Sequence, residues 1–163
     1  MFIAHLPAAL LLAPCLPRAA QKRLPRAAFL FGALAPDLDL LRFYLIDAGQ
    51  LHHHSYLTHR PAFWLALLLT GLALPALRRA PWLAALAAGA LLHLALDSVT
   101  GAVAWGWPLS AAPITLIEVP PRPGPWILTF LLHQSFAIEL AICLAAALRW
   151  RRTQTTKPPP SVF

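Results

Sequence analysis

Apolar stretches of helical length recur along this chain, and its bases stand at their ends. Met1–Leu16 is uncharged and is followed by Arg18, Lys22, Arg23 and Arg26. Ala27–Ala35 runs directly into Pro36-Asp37-Leu38-Asp39, and Pro61–Leu77 stops at Arg78-Arg79. Pro81–Leu96 is broken only by His93 and ends at Asp97, while Trp126–Leu148 ends at Arg149-Trp150-Arg151-Arg152. These stretches are rich in Leu and Ala and lack the period-2 alternation of strands, so they predict helices. Pro7, Pro61, Pro81 and Pro125 stand at or just before the starts, where a missing N–H costs least. Only Trp126–Leu148 comfortably exceeds the ~20 residues that cross a bilayer; Pro61–Leu77 and Pro81–Leu96 are marginal, and the other two are short.

Composition decides what such helices are for. Hydrophobic residues make up 59% of the chain and charged ones 12%, against roughly 45–50% and 25% in ordinary soluble domains. A disordered chain is excluded, and too few polar residues remain to clothe a soluble surface. The expected fold is all-α, an integral membrane helical bundle of about five apolar helices, several of them short or not fully spanning. Residues 1–150 form the membrane-embedded domain, and residues 151–163, with Lys157-Pro158-Pro159-Pro160, are expected to be a disordered cytoplasmic tail. No base precedes the first apolar run and no small-residue site closes it, so a cleaved signal peptide is not expected. The 13 bases cluster beside apolar segments and are not interleaved with exposed aromatics, which speaks against a nucleic-acid partner. Cys15 and Cys143 lie in apolar stretches without CxxC spacing, so no disulfide framework or thiolate site is indicated.

The positive-inside rule makes Arg18–Arg26, Arg78-Arg79 and Arg149–Arg152 cytoplasmic. His5 lies 13 residues before Arg18, Asp37 lies 11 after Arg26, His93 lies 14 after Arg79, and His133 lies 16 before Arg149. At helical rise these offsets are roughly 16–24 Å. Four separated polar residues thus reach a similar depth toward the non-cytoplasmic side, which points to one shared site.

The candidate chemistry lies in those positions. His93 and Asp97 are i and i+4, neighbours on one helix face, and an imidazole with a carboxylate suits a cation with nitrogen and oxygen preferences, zinc above all. Ionisable groups in an apolar helix are costly and usually functional; the plainer reading is a satisfied core histidine and a helix-end aspartate. Asp37 and Asp39 are presented at a break behind Pro36, and one of them is expected to cap the helix that follows from Leu40. His52-His53-His54-Ser55-Tyr56-Leu57-Thr58-His59 holds four of the seven histidines; His59 abuts the helix starting at Pro61, and His52 is expected to be exposed. His133 and Glu139 do not share a helix face. Glu139, deeper toward the cytoplasm, reads as mainly structural, whereas His5 stands near a helix start with a ligand role open to it.

Phe2-Ile3-Ala4-His5-Leu6-Pro7, Pro36-Asp37-Leu38-Asp39, His53-His54…Thr58-His59 and His93…Leu96-Asp97-Ser98, in that order, resemble the bacterial membrane-bound, metal-dependent hydrolases related to the inner-membrane YdjM-type proteins. Trp107-Pro108-Leu109-Ser110 and Phe130…His133…Phe136…Glu139 extend the resemblance to about Trp150. Ser55 stands where that family commonly carries an Arg. The His/Asp order is also similar to zinc-dependent phospholipase C and P1 nuclease. That resemblance implies Asp37, His59, His93 and Asp97 around one Zn2+, with His5 close enough to a second ion to share Asp97. His53, His54 and His133 are further candidates.

The resulting expectation is a multi-pass protein of the bacterial inner membrane that hydrolyses a phosphoester or phospholipid with metal-activated water on the non-cytoplasmic side. Asp37 or Asp39 would orient or deprotonate that water. Its partners are the lipid bilayer and an amphiphilic substrate, and Trp105, Trp107 and Trp126 fit an interfacial belt. The alternative is a non-enzymatic membrane metal-binding protein, a carrier or assembly factor. A carrier needs a polar path on both sides of its site, whereas Ala84–Leu92 and Ala137–Leu148 are almost wholly apolar.

Overall fold

The computed structural model describes residues 3–48, 50, 53–74, 81–120 and 123–155. Among them are seven α-helices and no strand: α1 (His5–Leu12), α2 (Arg23–Gly32), α3 (Asp39–Leu45), α4 (Pro61–Ala73), α5 (Trp82–Asp97), α6 (Trp126–Leu131) and α7 (Ser135–Thr155). Short 3-10 turns at Pro36–Leu38, His53–Ser55 and Leu57–His59 link α2 to α3 and lead into α4. The α5–α6 connection is irregular and is pinned by a single antiparallel bridge between Val103 and Ile114.

No helix among the described residues is long and apolar enough to cross a membrane. The stretch expected to be longest, Trp126–Leu148, is divided between α6 and α7. The break has a local cause: His133 Nδ1 accepts the Ser135 backbone N–H at 3.2 Å and lies 2.8 Å from Ser135 Oγ. The ring and hydroxyl thereby satisfy groups that a continuous helix would have bonded internally. α7 then continues through Arg151 and Arg152 to Thr155, so the first five residues of the expected disordered tail are helical. Residues 156–163 lie outside the described residues, as do Arg78, Arg79 and His52.

α1, α4 and α5 are apolar on nearly all sides, and packing sorts residues by size. α5 is central, against α2, α4 and α1, while α7 packs on α1. The core consists chiefly of small side chains: Ala9, Ala13, Ala33 and Ala85 with Phe29 in one cluster, Ala35, Ala87 and Ala90 with Trp64, Leu94 and Val103 in the other. Large apolar side chains face outward, including Leu65, Leu69 and Leu72 along α4 and Leu41 and Leu45 on α3. His5, Asp39, His54, His59, His93, Asp97 and Glu139 are buried. Polar groups inside and leucines outside is the arrangement of helices that associate by close backbone approach in an apolar medium.

Two glycines make that approach possible. A Cβ on Gly32 would stand 2.1 Å from the Leu86 carbonyl oxygen, and one on Gly89 would stand 2.1 Å from that of Phe29. The contact is reciprocal, and it brings the backbone just after Gly32 beside the turn of α5 that carries His93. An exposed helical Gly→Ala change stabilises by about 1 kcal/mol. Gly89→Ala is expected to do the opposite, destabilising by about 1–3 kcal/mol through overpacking. The drop will show as a lower thermal midpoint in detergent, and a raised midpoint would mean that α2 and α5 do not meet there.

Candidate metal centre

Three histidines of the site, His93, His59 and His54, are each aimed by a protein acceptor at Nδ1. His93 Nδ1 lies 2.8 Å from the Ala33 carbonyl oxygen, which the Gly32–Gly89 contact brings within reach. His59 Nδ1 lies 2.6 Å from Asp39 Oδ2, and Thr58 Oγ1 donates to the same oxygen at 2.5 Å. His54 Nδ1 lies 3.3 Å from the Ala102 carbonyl oxygen. Gly101 has room for no side chain there, because a Cβ would meet His54 Cε1 at 2.5 Å. Carbonyl and carboxylate oxygens only accept, so in the neutral rings the proton sits on Nδ1 and the lone pair on Nε2.

All of these Nε2 atoms converge on carboxylate oxygens. Asp97 Oδ2 lies 3.0 Å from His93 Nε2, 3.6 Å from His59 Nε2 and 3.7 Å from His54 Nε2, and its Oδ1 lies 3.3 Å from His5 Nε2. Asp37 Oδ1 lies 3.6 Å from His93 Nε2 and 3.9 Å from His59 Nε2. The His5 ring stacks on His93 with centroids 3.8 Å apart. His93 Nε2 is buried and makes no directed hydrogen bond of its own. A lone pair facing two carboxylates is repulsive unless a cation lies between them, so the donor set fits a proton or a metal ion of nitrogen and oxygen preference. Two groups have ligand atoms mutually within 4.8 Å: His5, Asp37 and His93, and His54, His59 and Asp97.

The resemblance implies Asp37, His59, His93 and Asp97 around one ion, with His5 near a second and sharing Asp97. His59 and His93 each face Asp37 and Asp97, and His5 faces Asp97; the groups whose ligand atoms lie mutually closest among the described residues also bring His5 to Asp37 and His93, and His54 to His59 and Asp97. Neither Asp37 nor Asp39 caps α3, whose start carries no side-chain cap; Asp39 is turned inward to Thr58 and His59. Of the four residues placed at one depth, His5, Asp37 and His93 meet, while the Nδ1 of His133 is engaged at the α6–α7 break. The side chain of His53 lies outside the described residues.

Glu139, read from the sequence as mainly structural, is buried. Its Oε2 accepts the N–H groups of Ile3 at 2.5 Å and Ala4 at 3.2 Å, so α7 anchors the chain just where α1 presents His5. Trp105, expected at a membrane interface, donates its indole N–H to Ser98 Oγ at 2.7 Å and fixes the chain just beyond Asp97.

Burial pushes the His59 imidazole down, but hydrogen bonding with Asp39 and Asp97 outweighs it and raises the group to about 9. A second clamp holds the turn ahead of it. Tyr56 Oη donates to Asp47 Oδ2, which Arg42 Nε also reaches at 3.2 Å, and the Arg42 guanidinium lies 5.5 Å from the Tyr56 ring centroid. Burial and the Asp47 carboxylate push the Tyr56 phenol up to about 12. Asp47→Asn is expected to bring it back toward the ordinary value of about 10. Phenolate absorbance in a Tyr44→Phe background checks this, and an unmoved titration would mean that the clamp is not formed.

Comparison with curated proteins and with solved structures finds no match. The family model described as YdjM inner membrane protein matches residues 2–157, nearly the whole chain. The matched span contains every residue of the candidate centre, and the chain belongs to the YdjM inner membrane protein family.

Proposed function

We propose that this protein is a membrane-bound, metal-dependent hydrolase acting on a phosphoester or phospholipid from the non-cytoplasmic side. The carrying observation is the convergence of four imidazoles on Asp97, with the His93 Nε2 lone pair directed at Asp97 and Asp37 in a buried setting. His5, Asp37 and His93 would hold one Zn2+ and His54, His59 and Asp97 a second, Asp97 being close enough to both groups to be shared. The chemistry supplied at such a centre is a bound water of lowered pKa and a polarised phosphoryl oxygen.

The chain's own residues divide the remaining work. Asp39 holds the His59 ring in one tautomer and orientation, as an outer carboxylate does for a metal-ligating histidine. It is thereby committed, which leaves Asp37 as the carboxylate for orienting or accepting a proton from water. The Asp37 side chain is 35% exposed while those of His59, His93 and Asp97 are 4% or less, so the centre opens to its surroundings at Asp37. That opening favours hydrolysis over a closed structural site. Arg26 lies at the start of α2 and Arg149 in the last turns of α7, each remote along its helix from the centre. Arginine clusters on the cytoplasmic side would therefore leave the centre on the other. The ligand order similar to phospholipase C and P1 nuclease guides the choice of phosphoesters.

Purified protein is expected to carry one or two equivalents of zinc by elemental analysis and to cleave bis(p-nitrophenyl) phosphate or phospholipid in detergent. His93→Ala with Asp97→Ala should abolish metal content, and Asp39→Asn should weaken zinc affinity about 10–100-fold. Asp37→Asn should weaken the ion held with His5 and His93, leave the one held by His54, His59 and Asp97, and lose about 100-fold or more in turnover. Full metal content in the double variant would contradict the centre, whereas metal without turnover in the wild type would favour a non-enzymatic metal-binding protein.

A further inference from the structure

Between α1 and α7 lies a groove of about 640 Å3, lined on one side from Pro7 to Pro14. Its walls are apolar, built from Leu11 and Pro14 on the α1 side and Ala147 on α7, and Arg26, Arg149 and Arg151 line it as well. All three arginines are exposed. The chain has six carboxylates, and five are committed elsewhere. Asp37, Asp39 and Asp97 belong to the metal centre, Asp47 holds Arg42 and Tyr56, and Glu139 holds the start of α1. Glu118 lies on the irregular α5–α6 connection. Among the described residues, three cations thus share an apolar cleft whose lining includes no acidic side chain.

The geometry points to a binding site for one anionic phospholipid in this groove, its phosphate between the three guanidiniums and an acyl chain along the Leu11–Ala147 wall. Charge and shape select this occupant together. A guanidinium fork matches phosphate oxygens, and bases flanking apolar helices attract anionic lipid at the membrane surface. A free phosphate would leave the apolar wall uncovered, and a zwitterionic lipid would leave the positive charge uncompensated. Arg149 and Arg151 stand beyond Glu139 on α7 by 10 and 12 residues, roughly 15–18 Å along the helix. The arginine end of the groove is therefore separate from the metal centre, and the lipid whose phosphate it holds is a resident, not the substrate proposed above.

The test is lipid retention and thermal stability of the full chain in detergent, with phosphatidylglycerol, phosphatidylcholine and inorganic phosphate as probes. Phosphatidylglycerol is expected to remain bound in native mass spectra and to raise the unfolding midpoint by several degrees, and the other two are not. The Arg26→Gln, Arg149→Gln, Arg151→Gln triple variant should bind phosphatidylglycerol about tenfold or more weakly, and the corresponding triple Lys variant should keep an intermediate response. Zinc content should be the same in all three proteins, so loss of the lipid site is distinguishable from failure of the metal centre. An equal response to phosphatidylcholine or to inorganic phosphate, or an undiminished response in the triple Gln variant, would overturn the assignment.

Discussion

A carboxylate removed from water must be compensated where it sits, and the imidazoles around Asp97 leave that task to a cation held between their Nε2 atoms and its oxygens. Four Nε2 atoms lie 3.0 to 3.7 Å from its two oxygens, in a core otherwise made mostly of alanine and glycine. Stranding a buried charge by removing one partner typically costs about 3–5 kcal/mol, so the surrounding helices are bound to this geometry. The Gly32–Gly89 contact exists at the distance that lets Ala33 aim His93. Gly101 is bare where His54 needs the space, and Glu139 secures the backbone ahead of His5. Each of these features lies outside the ligand set, yet each fixes the direction of a ligand.

The same constraint explains the distribution of side chains. The interior holds charged and small residues, and the exterior carries leucines and aromatics. Helices that pack through glycine and alanine need no large core, and leave their leucines facing outward. Short helices are consistent with this, because a buried polar centre reached from several turns and helix ends calls for breaks in the chain. The divisions at Pro36–Leu38, Leu57–His59 and Leu132–Gln134 supply them.

Much of this was legible in the residues themselves. The all-α class followed from Leu/Ala stretches without alternation, and the convergence of His5, Asp37 and His93 from their similar spacing to arginine clusters. His93 and Asp97 were paired by helical periodicity alone. Three things were not legible. The division of Trp126–Leu148 depends on His133 and Ser135 competing with helical bonds, which hydropathy does not register. Asp37 or Asp39 looked like a helix cap, because local sequence cannot show that Asp39 has a partner twenty residues away at His59. The aim of His93 and His54 depends on which backbone carbonyl each Nδ1 meets, and Ala33 and Ala102 carry no mark of that in sequence.

The central claim is that a cation sits among the Nε2 atoms and carboxylates around Asp97. X-ray absorption at the zinc edge of the purified, zinc-loaded protein tests it most directly. A first shell of nitrogen and oxygen at about 2.0–2.2 Å with the imidazole outer-shell signature is the predicted result. A sulfur shell at about 2.3 Å, which would place the metal at Cys15 or Cys143, or a spectrum of zinc surrounded by water alone, would contradict it.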